Sequence, residues 1–150
     1  MITDKKIAKI MDSHYSMTFK KYGPNSQGVD WGDKLWKVGM RHQKMAALFE
    51  HDQRKKITLF DVGCGYGAFY EFLKKNKKNA VHFTGIDISS QMISHAKKQY
   101  PRAEFIHGDF MTHNFGSRRF DYITCNGIFT QKLFYFLLQS LLFFLHFHTC

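Results

Sequence analysis

The order of apolar and polar positions divides the chain into an N-terminal part with helical period and a central part of short apolar runs alternating with amphipathic segments. Residues 4–20 and 34–51 read as helices, with Leu35, Val38, Met45, Leu48 and Phe49 spaced to share one face of the second. Between them, Tyr22-Gly23-Pro24-Asn25-Ser26-Gln27-Gly28 is dense in turn formers and predicts an exposed loop. From Ile57 the period changes. Residues 57–62 form a strand-type run ended by glycines, and 66–78 read as a helix with Phe69, Phe72 and Leu73 inward and lysines outward. Residues 81–86 form a second strand, and Ser89 or Ser90 caps a helix that carries Met92, Ile93 and Ala96 and stops at Pro101. Residues 103–106 and 120–125 supply two further strands. The alternation predicts an α/β domain, a doubly wound, mainly parallel sheet with helices on both faces and a helical N-terminal cap.

Composition narrows the classes. At 150 residues, 44% hydrophobic and 23% charged, the chain reads as one globular domain and wholesale disorder is excluded. A formal charge of +10 attracts anions, which admits nucleic acid, anionic lipid or an acidic small substrate without choosing among them. Cys64, Cys125 and Cys150 are widely spaced with no CxxC pair, so neither a disulfide framework nor a structural zinc site is expected, and a reducing cytoplasm is. The N-terminus is polar from its first residues and does not read as a signal peptide. No HExxH spacing, P-loop or GxSxG elbow occurs, and His146-Phe147-His148 reads as an incidental pair, so no metal is expected.

The chemistry concentrates at predicted strand ends. Asp61-Val62-Gly63-Cys64-Gly65-Tyr66-Gly67 falls at a strand-to-helix turn, where alternate glycines let the backbone bend and let a ligand approach without meeting a Cβ. The following helix turns its free N–H groups toward that ligand. Asp87 ends the second strand, placed to accept from a ribose diol, and Gly108-Asp109-Phe110 ends the third, where a carboxylate and a backbone N–H suit an adenine edge. Gly63-x-Gly65-x-x-Ala68 also satisfies the loose dinucleotide fingerprint. Three features favour another cofactor: Asp61 directly before the glycines, which repels a pyrophosphate but suits a cationic sulfonium amino acid; the GxGxG spacing; and a third acidic strand end at Asp109.

At these residues the sequence resembles the class I S-adenosylmethionine-dependent methyltransferases, a Rossmann-like family. Residues 59–67, 85–89, 92–97 and 108–110 follow its first three motifs in order, and 120–127 match its fourth strand, so the likeness covers about residues 55–132. Tyr22-Gly23-Pro24 and Gly28-Val29-Asp30-Trp31 resemble the cap of a small-molecule branch. The resemblance implies that Asp61 faces the methionine amino group while Gly63, Gly65 and Gly67 cradle the methionine part. Asp87 would hold the ribose hydroxyls, with Ile88 on the adenine face. Asp109 would accept from the adenine amino group beside the Phe110 backbone, and Asn126 would lie near the sulfonium and the substrate entrance. No catalytic acid or base stands out, because the sulfonium already activates the methyl group and a general base is needed only if the acceptor is protonated. Asn126-Gly127-Ile128-Phe129 stands where an amino-methylating DNA enzyme would carry Asn-Pro-Pro-Tyr, so a small-molecule acceptor is expected and nucleic acid is not favoured.

The chain thus divides into a cap (1–54), a cofactor-binding core (55–132) and an apolar tail (133–150) foreign to the family pattern. The tail reads as a deeply buried helix or a membrane anchor, though a polar Gln139-Ser140 pair interrupts it and it falls short of a full span. The composition break near residue 132 leads us to expect an enzyme truncated after its fourth strand, with cofactor binding more robust than catalysis. The lysine clusters at 74–78 and 97–98 read as solvated helix faces. Oligomeric state is not legible.

Overall fold

The computed structural model describes residues 4–32, 35–76 and 80–127. Two helices, α1 (Asp4–Tyr22) and α2 (Leu35–Ala47), precede β1 (Lys56–Val62), α3 (Ala68–Lys75), β2 (Ala80–Asp87), α4 (Ser90–Gln99), β3 (Glu104–His107) and β4 (Tyr122–Cys125). Element types follow the predicted ones, with shifted ends. Helix α3 begins at Ala68 rather than 66 because Gly67 sits at its N-cap with φ near +87°, outside helical geometry. Helix α2 stops at Ala47 rather than 51, and a turn follows it. Leu48, expected on the buried face, is therefore 61% exposed, while Phe49 is buried.

The four strands are parallel in the order β3-β2-β1-β4. Register sorts their side chains. Leu59 pairs with Phe83 and Tyr122, and Phe105 pairs with Gly85, so these residues share one face. On it they pack with Ala46 of α2, Phe69 and Leu73 of α3, and Ile93 and Ala96 of α4 in the main core. Both crossovers, α3 and α4, step in the same direction, and right-handedness places them on the same side. The other face carries Phe60, Val62 and Ile86, packed with Ile106, Phe115 and Phe120.

The cap is tied down by polar contacts. Asp12 Oδ1 on α1 accepts the Ser90 backbone N–H (2.9 Å) and the Ser16 hydroxyl (2.8 Å), and Ser16 Oγ lies 3.0 Å from Ser89 Oγ. A carboxylate at the N-terminus of α4 also complements its dipole. The segment expected as an exposed loop is instead folded on itself. Asn25 Oδ1 accepts the N–H groups of Gln27 and Gly28, Ser26 is buried, and its carbonyl accepts the Trp31 N–H at 2.7 Å. A Cβ on Gly28 would lie 1.9 Å from the Gly23 carbonyl oxygen, so only glycine closes this turn. Its turn formers make a compact plug because their polar groups satisfy one another.

The opposite end of the sheet carries a charged clamp. Asp121 accepts the Thr58 N–H (2.7 Å) and hydroxyl (2.8 Å), and Arg54 bridges Asp121 and Asp52. This pins β4 to β1. Lys74 and Lys75 close α3 and Lys97 and Lys98 close α4, all four exposed, where they complement the helix dipoles. Among the described residues no helix is long and apolar enough to cross a membrane. The expectations for the tail fall outside the described residues.

Candidate functional site

Every residue singled out from the sequence lies at the C-terminal end of a strand or in the turn that follows, the edge at which open α/β sheets bind ligands. Asp61, next to last in β1, is buried, and its Oδ1 accepts the Thr124 hydroxyl from β4 at 2.8 Å. Burial, with the Asp87 carboxylate nearby, pushes its pKa up to about 7 against the partial relief of the Thr124 bond.

The glycine loop leaves β1 through positive backbone angles, with φ of +74° at Gly63, +55° at Gly65 and +87° at Gly67. The Gly63 and Cys64 N–H groups both donate to the Ile86 carbonyl, which anchors the loop to β2. A Cβ on Gly67 would come within 3.0 Å of the Tyr100 ring and 3.1 Å of Phe105, so close helix–sheet packing also requires glycine there. Gly85 has the same role on β2, where a Cβ would lie 2.7 Å from the Cys64 side chain. Cys64 is thereby buried filler, its thiol pushed well up by burial.

Asp87 ties the loop together. One carboxylate oxygen accepts the Gly65 N–H and the other the Ser89 N–H, both at 2.8 Å. Burial raises its pKa despite these bonds. Ile88 is half-buried, with its carbonyl 3.1 Å from His107 Nε2. Asp109 Oδ1 caps its own turn by accepting the Met111 N–H at 3.0 Å, and Phe110 is largely exposed beside the Phe60 ring. Asn126 follows β4 and donates to the Met45 sulfur of α2. Asp61, the glycines and Asp87 thus form one bonded centre. Asp109 and Asn126 flank it three strand spacings apart, about 14 Å at ~4.8 Å each.

The cap adds residues that the sequence had not placed at the site. A Cβ on Gly65 would meet Val29 at 3.4 Å, and one on Gly127 would meet the Trp31 indole at 2.6 Å. The Val29-Asp30-Trp31 segment therefore crosses above the ends of β1 and β4. Tyr15 on α1 is half-buried, and burial with the Asp30 and Asp87 carboxylates pushes its phenol up to about 12. The available signal was the polar stripe Asp12, Tyr15 and Ser16, three and four residues apart on α1. Thr124 gave none, since a threonine in a strand is unremarkable until its partner is known.

An acidic residue before a glycine turn, an acidic second strand end and a capped third strand end gather at the ligand-binding edge of an open α/β sheet. The family model described as a methyltransferase domain matches residues 59–138, more than half of the chain, and the chain belongs to that family. It is 32% identical over 81 residues to a dTDP-3-amino-3,6-dideoxy-alpha-D-glucopyranose N,N-dimethyltransferase of Streptomyces fradiae, covering 54% of this chain and 30% of the relative. It is 28% identical over 107 residues to malonyl-[acyl-carrier protein] O-methyltransferase 1 of Ilyobacter polytropus, covering 69% of this chain and 39% of the relative. Among solved structures, the [4+2]-cyclase SpnF superposes with a TM-score of 0.56 at 19% identity, over 81% of this chain and 48% of that one. The chain spans well under half the length of the two curated relatives.

The glycines and acids present fit S-adenosylmethionine, the cofactor of class I methyltransferases. The loop keeps its backbone bare at Gly63, Gly65 and Gly67, and the buried Asp61 carboxyl lies beside it.

Proposed function

We propose that this chain binds S-adenosylmethionine along the ends of β3, β2, β1 and β4 and serves methyl transfer to a small-molecule acceptor. The observation that carries the reading is the buried Asp61 carboxyl against the glycine turn, within electrostatic reach of Asp87. A buried acid with a raised pKa is costly to ionise alone and gains most from a cationic ligand. In this reading Asp61 pairs with the ligand's ammonium, and the loop N–H groups hold its amino-acid part. Asp87 accepts from the ribose hydroxyls with the lone pairs left by Gly65 and Ser89, Ile88 packs on the adenine, and Asp109 with the Phe110 backbone receives the adenine edge. Asn126 lines the acceptor side.

When bound, the cofactor supplies a methyl group already activated on a sulfonium. Asp61, the loop N–H groups and Asp87 would hold that group in place for a lone pair of the acceptor. The chain's task is then orientation, which supplies much of the rate in such transfers. The cap segment Val29-Asp30-Trp31 excludes water above β1 and β4. The Arg54 guanidinium is taken up by Asp52 and Asp121, and the exposed lysines close helices, which supports a small acceptor over nucleic acid. A cytoplasmic setting follows from the reading.

The test is calorimetric titration of S-adenosylmethionine into the chain and into Asp87→Ala, with thermal unfolding of both. Micromolar binding weakened by about 1–3 kcal/mol in the variant, the scale of charged hydrogen bonds, is expected. A folded chain that binds nothing overturns the cofactor assignment. Binding without S-adenosylhomocysteine formation across a panel of amine, hydroxyl and carboxylate acceptors overturns the transfer.

A further inference from the structure

The arginines of this chain are neutralised unevenly. Arg54 is paired with Asp52 and Asp121, and Arg118 with Glu104. Arg102 and Arg119 form no ion pair among the described residues, but both are exposed. Arg41 on α2 differs from all four. It is half-buried, and no carboxylate among the described residues pairs with it. Its guanidinium lies instead over the Trp31 ring, 4.7 Å from the centroid. Taking a cation partly out of water without an anion is unfavourable, and stacking on an indole offsets only part of that penalty.

The surroundings of Arg41 tie it to the end of β4. A Cβ on Gly127 would lie 2.6–2.9 Å from the indole atoms Nε1, Cζ2 and Cε2 of Trp31, so the same ring that carries Arg41 closes on the residue after Asn126. Met45, one helical turn beyond Arg41 and on the same side of α2, takes the Asn126 amide on its sulfur at 3.1 Å. A thioether is a weak acceptor, and a stronger one supplied by a ligand would compete with it. The nearby polar groups do not neutralise the cation. Asp30, beside Trp31 in sequence, lies 3.5 Å from His14 Nε2, and His42 is buried against the Trp31 ring. A guanidinium stacked on an indole has its plane fixed and keeps N–H edges free. Carboxylate and phosphate oxygens match such an edge two at a time.

We propose that the methyl acceptor is an anion, a small molecule whose carboxylate or phosphate is bound by Arg41 against Trp31 while its reacting atom lies at Asn126. The inference rests on the reading of the β4 end as the acceptor side and narrows a small-molecule acceptor to an acidic one. The formal charge of +10 draws such molecules toward the chain.

The full chain is titrated calorimetrically with benzoate, phenyl phosphate and uncharged benzamide, each with and without saturating S-adenosylhomocysteine. The Trp31 indole N–H is followed by NMR and identified by its loss in Trp31→Phe. At least one anion is expected to bind about tenfold or more tighter than benzamide and to shift the Trp31 signal. In Arg41→Gln it should lose about tenfold or more in affinity, the scale of a charged hydrogen bond, while S-adenosylhomocysteine binds as before. Comparing benzoate with phenyl phosphate tells which anion the site takes. The comparison with benzamide uses only the wild-type chain, so it decides the matter even if Arg41→Gln does not fold. Equal binding of anion and amide, binding of none of the three, or anion binding that leaves the Trp31 signal unmoved overturns the proposal. A chain that binds benzoate through Arg41 but no S-adenosylhomocysteine refutes the cofactor reading, and with it the acceptor role, while the anion site stands.

Discussion

Asp61 makes cofactor affinity depend on pH in a way that can be worked out in advance. Its carboxyl is held at about 7, so in the ligand-free protein it is largely protonated below neutrality. Pairing with a ligand ammonium requires the carboxylate, so below pH 7 binding must expel a proton. Each pH unit then costs about tenfold in affinity, or about 1.4 kcal/mol. Between pH 8 and 5.5 the ionised fraction falls from about 0.9 to about 0.03, which predicts an affinity loss of about 30-fold, close to 2 kcal/mol. His42, depressed by burial to about 4, does not titrate across this range. The assay is isothermal titration with S-adenosylhomocysteine at four pH values, repeated in buffers of different ionisation enthalpy to count protons. About one proton should leave per ligand near pH 6. The Asp61→Asn variant shares every titration of the ligand itself and should lose the slope. A wild-type affinity that is flat from pH 8 to 5.5, or a slope retained in Asp61→Asn, would refute the pairing.

Three further perturbations test the scaffold. His42 is buried among Trp31, Phe69 and Phe72 and depressed from 6.5 to about 4, so the unfolded chain takes up its proton first as pH falls. Its contribution is full above pH 6.5 and declines by about 3 kcal/mol down to pH 4. Asp61 tilts the opposite way, contributing stability below pH 3.8 that is lost as pH rises toward 7. The readout is therefore the difference between wild type and His42→Phe in urea unfolding at pH 7.5 and 4.5, and no difference in slope refutes the account. Gly67→Ala, forced into a left-handed angle against Tyr100 and Phe105, should cost about 2 kcal/mol in the same assay. Asp12→Ala removes the cap contacts to Ser90 and should lower stability by about 1 kcal/mol, read as a drop in melting temperature.

The fold was legible where local chemistry and tertiary packing agree. Strand ends marked by Asp61, Asp87 and Asp109 could be read because a glycine or polar residue interrupts an apolar run there. Leu48 shows the limit. Its spacing fits the buried face of α2, but the helix ends at Ala47, so the period no longer applies one residue later. The Tyr22–Gly28 segment shows a different limit, since composition marks a turn without saying whether its polar groups face water or each other.

The least legible feature is the dependence of the site on the cap. Asp87 holds Gly65 and Ser89, Ser89 caps α4 through the Met92 N–H, and Ser16 and Asp12 of α1 meet Ser89 and Ser90. This chain of bonds runs from the first helix to the glycine loop across more than seventy residues of sequence. Periodicity hints only at its first link, the polar stripe on α1, because each later member looks like an ordinary capping residue. Its physical consequence is that α1 is more than a cover. Loosening Asp12 frees the N-terminus of α4, and with it one of the two bonds that fix the Asp87 carboxylate. The two oxygens of Asp87 are therefore oriented from both sides, by Gly65 of the loop and by Ser89 beneath the cap. A ribose held by that carboxylate would sense both.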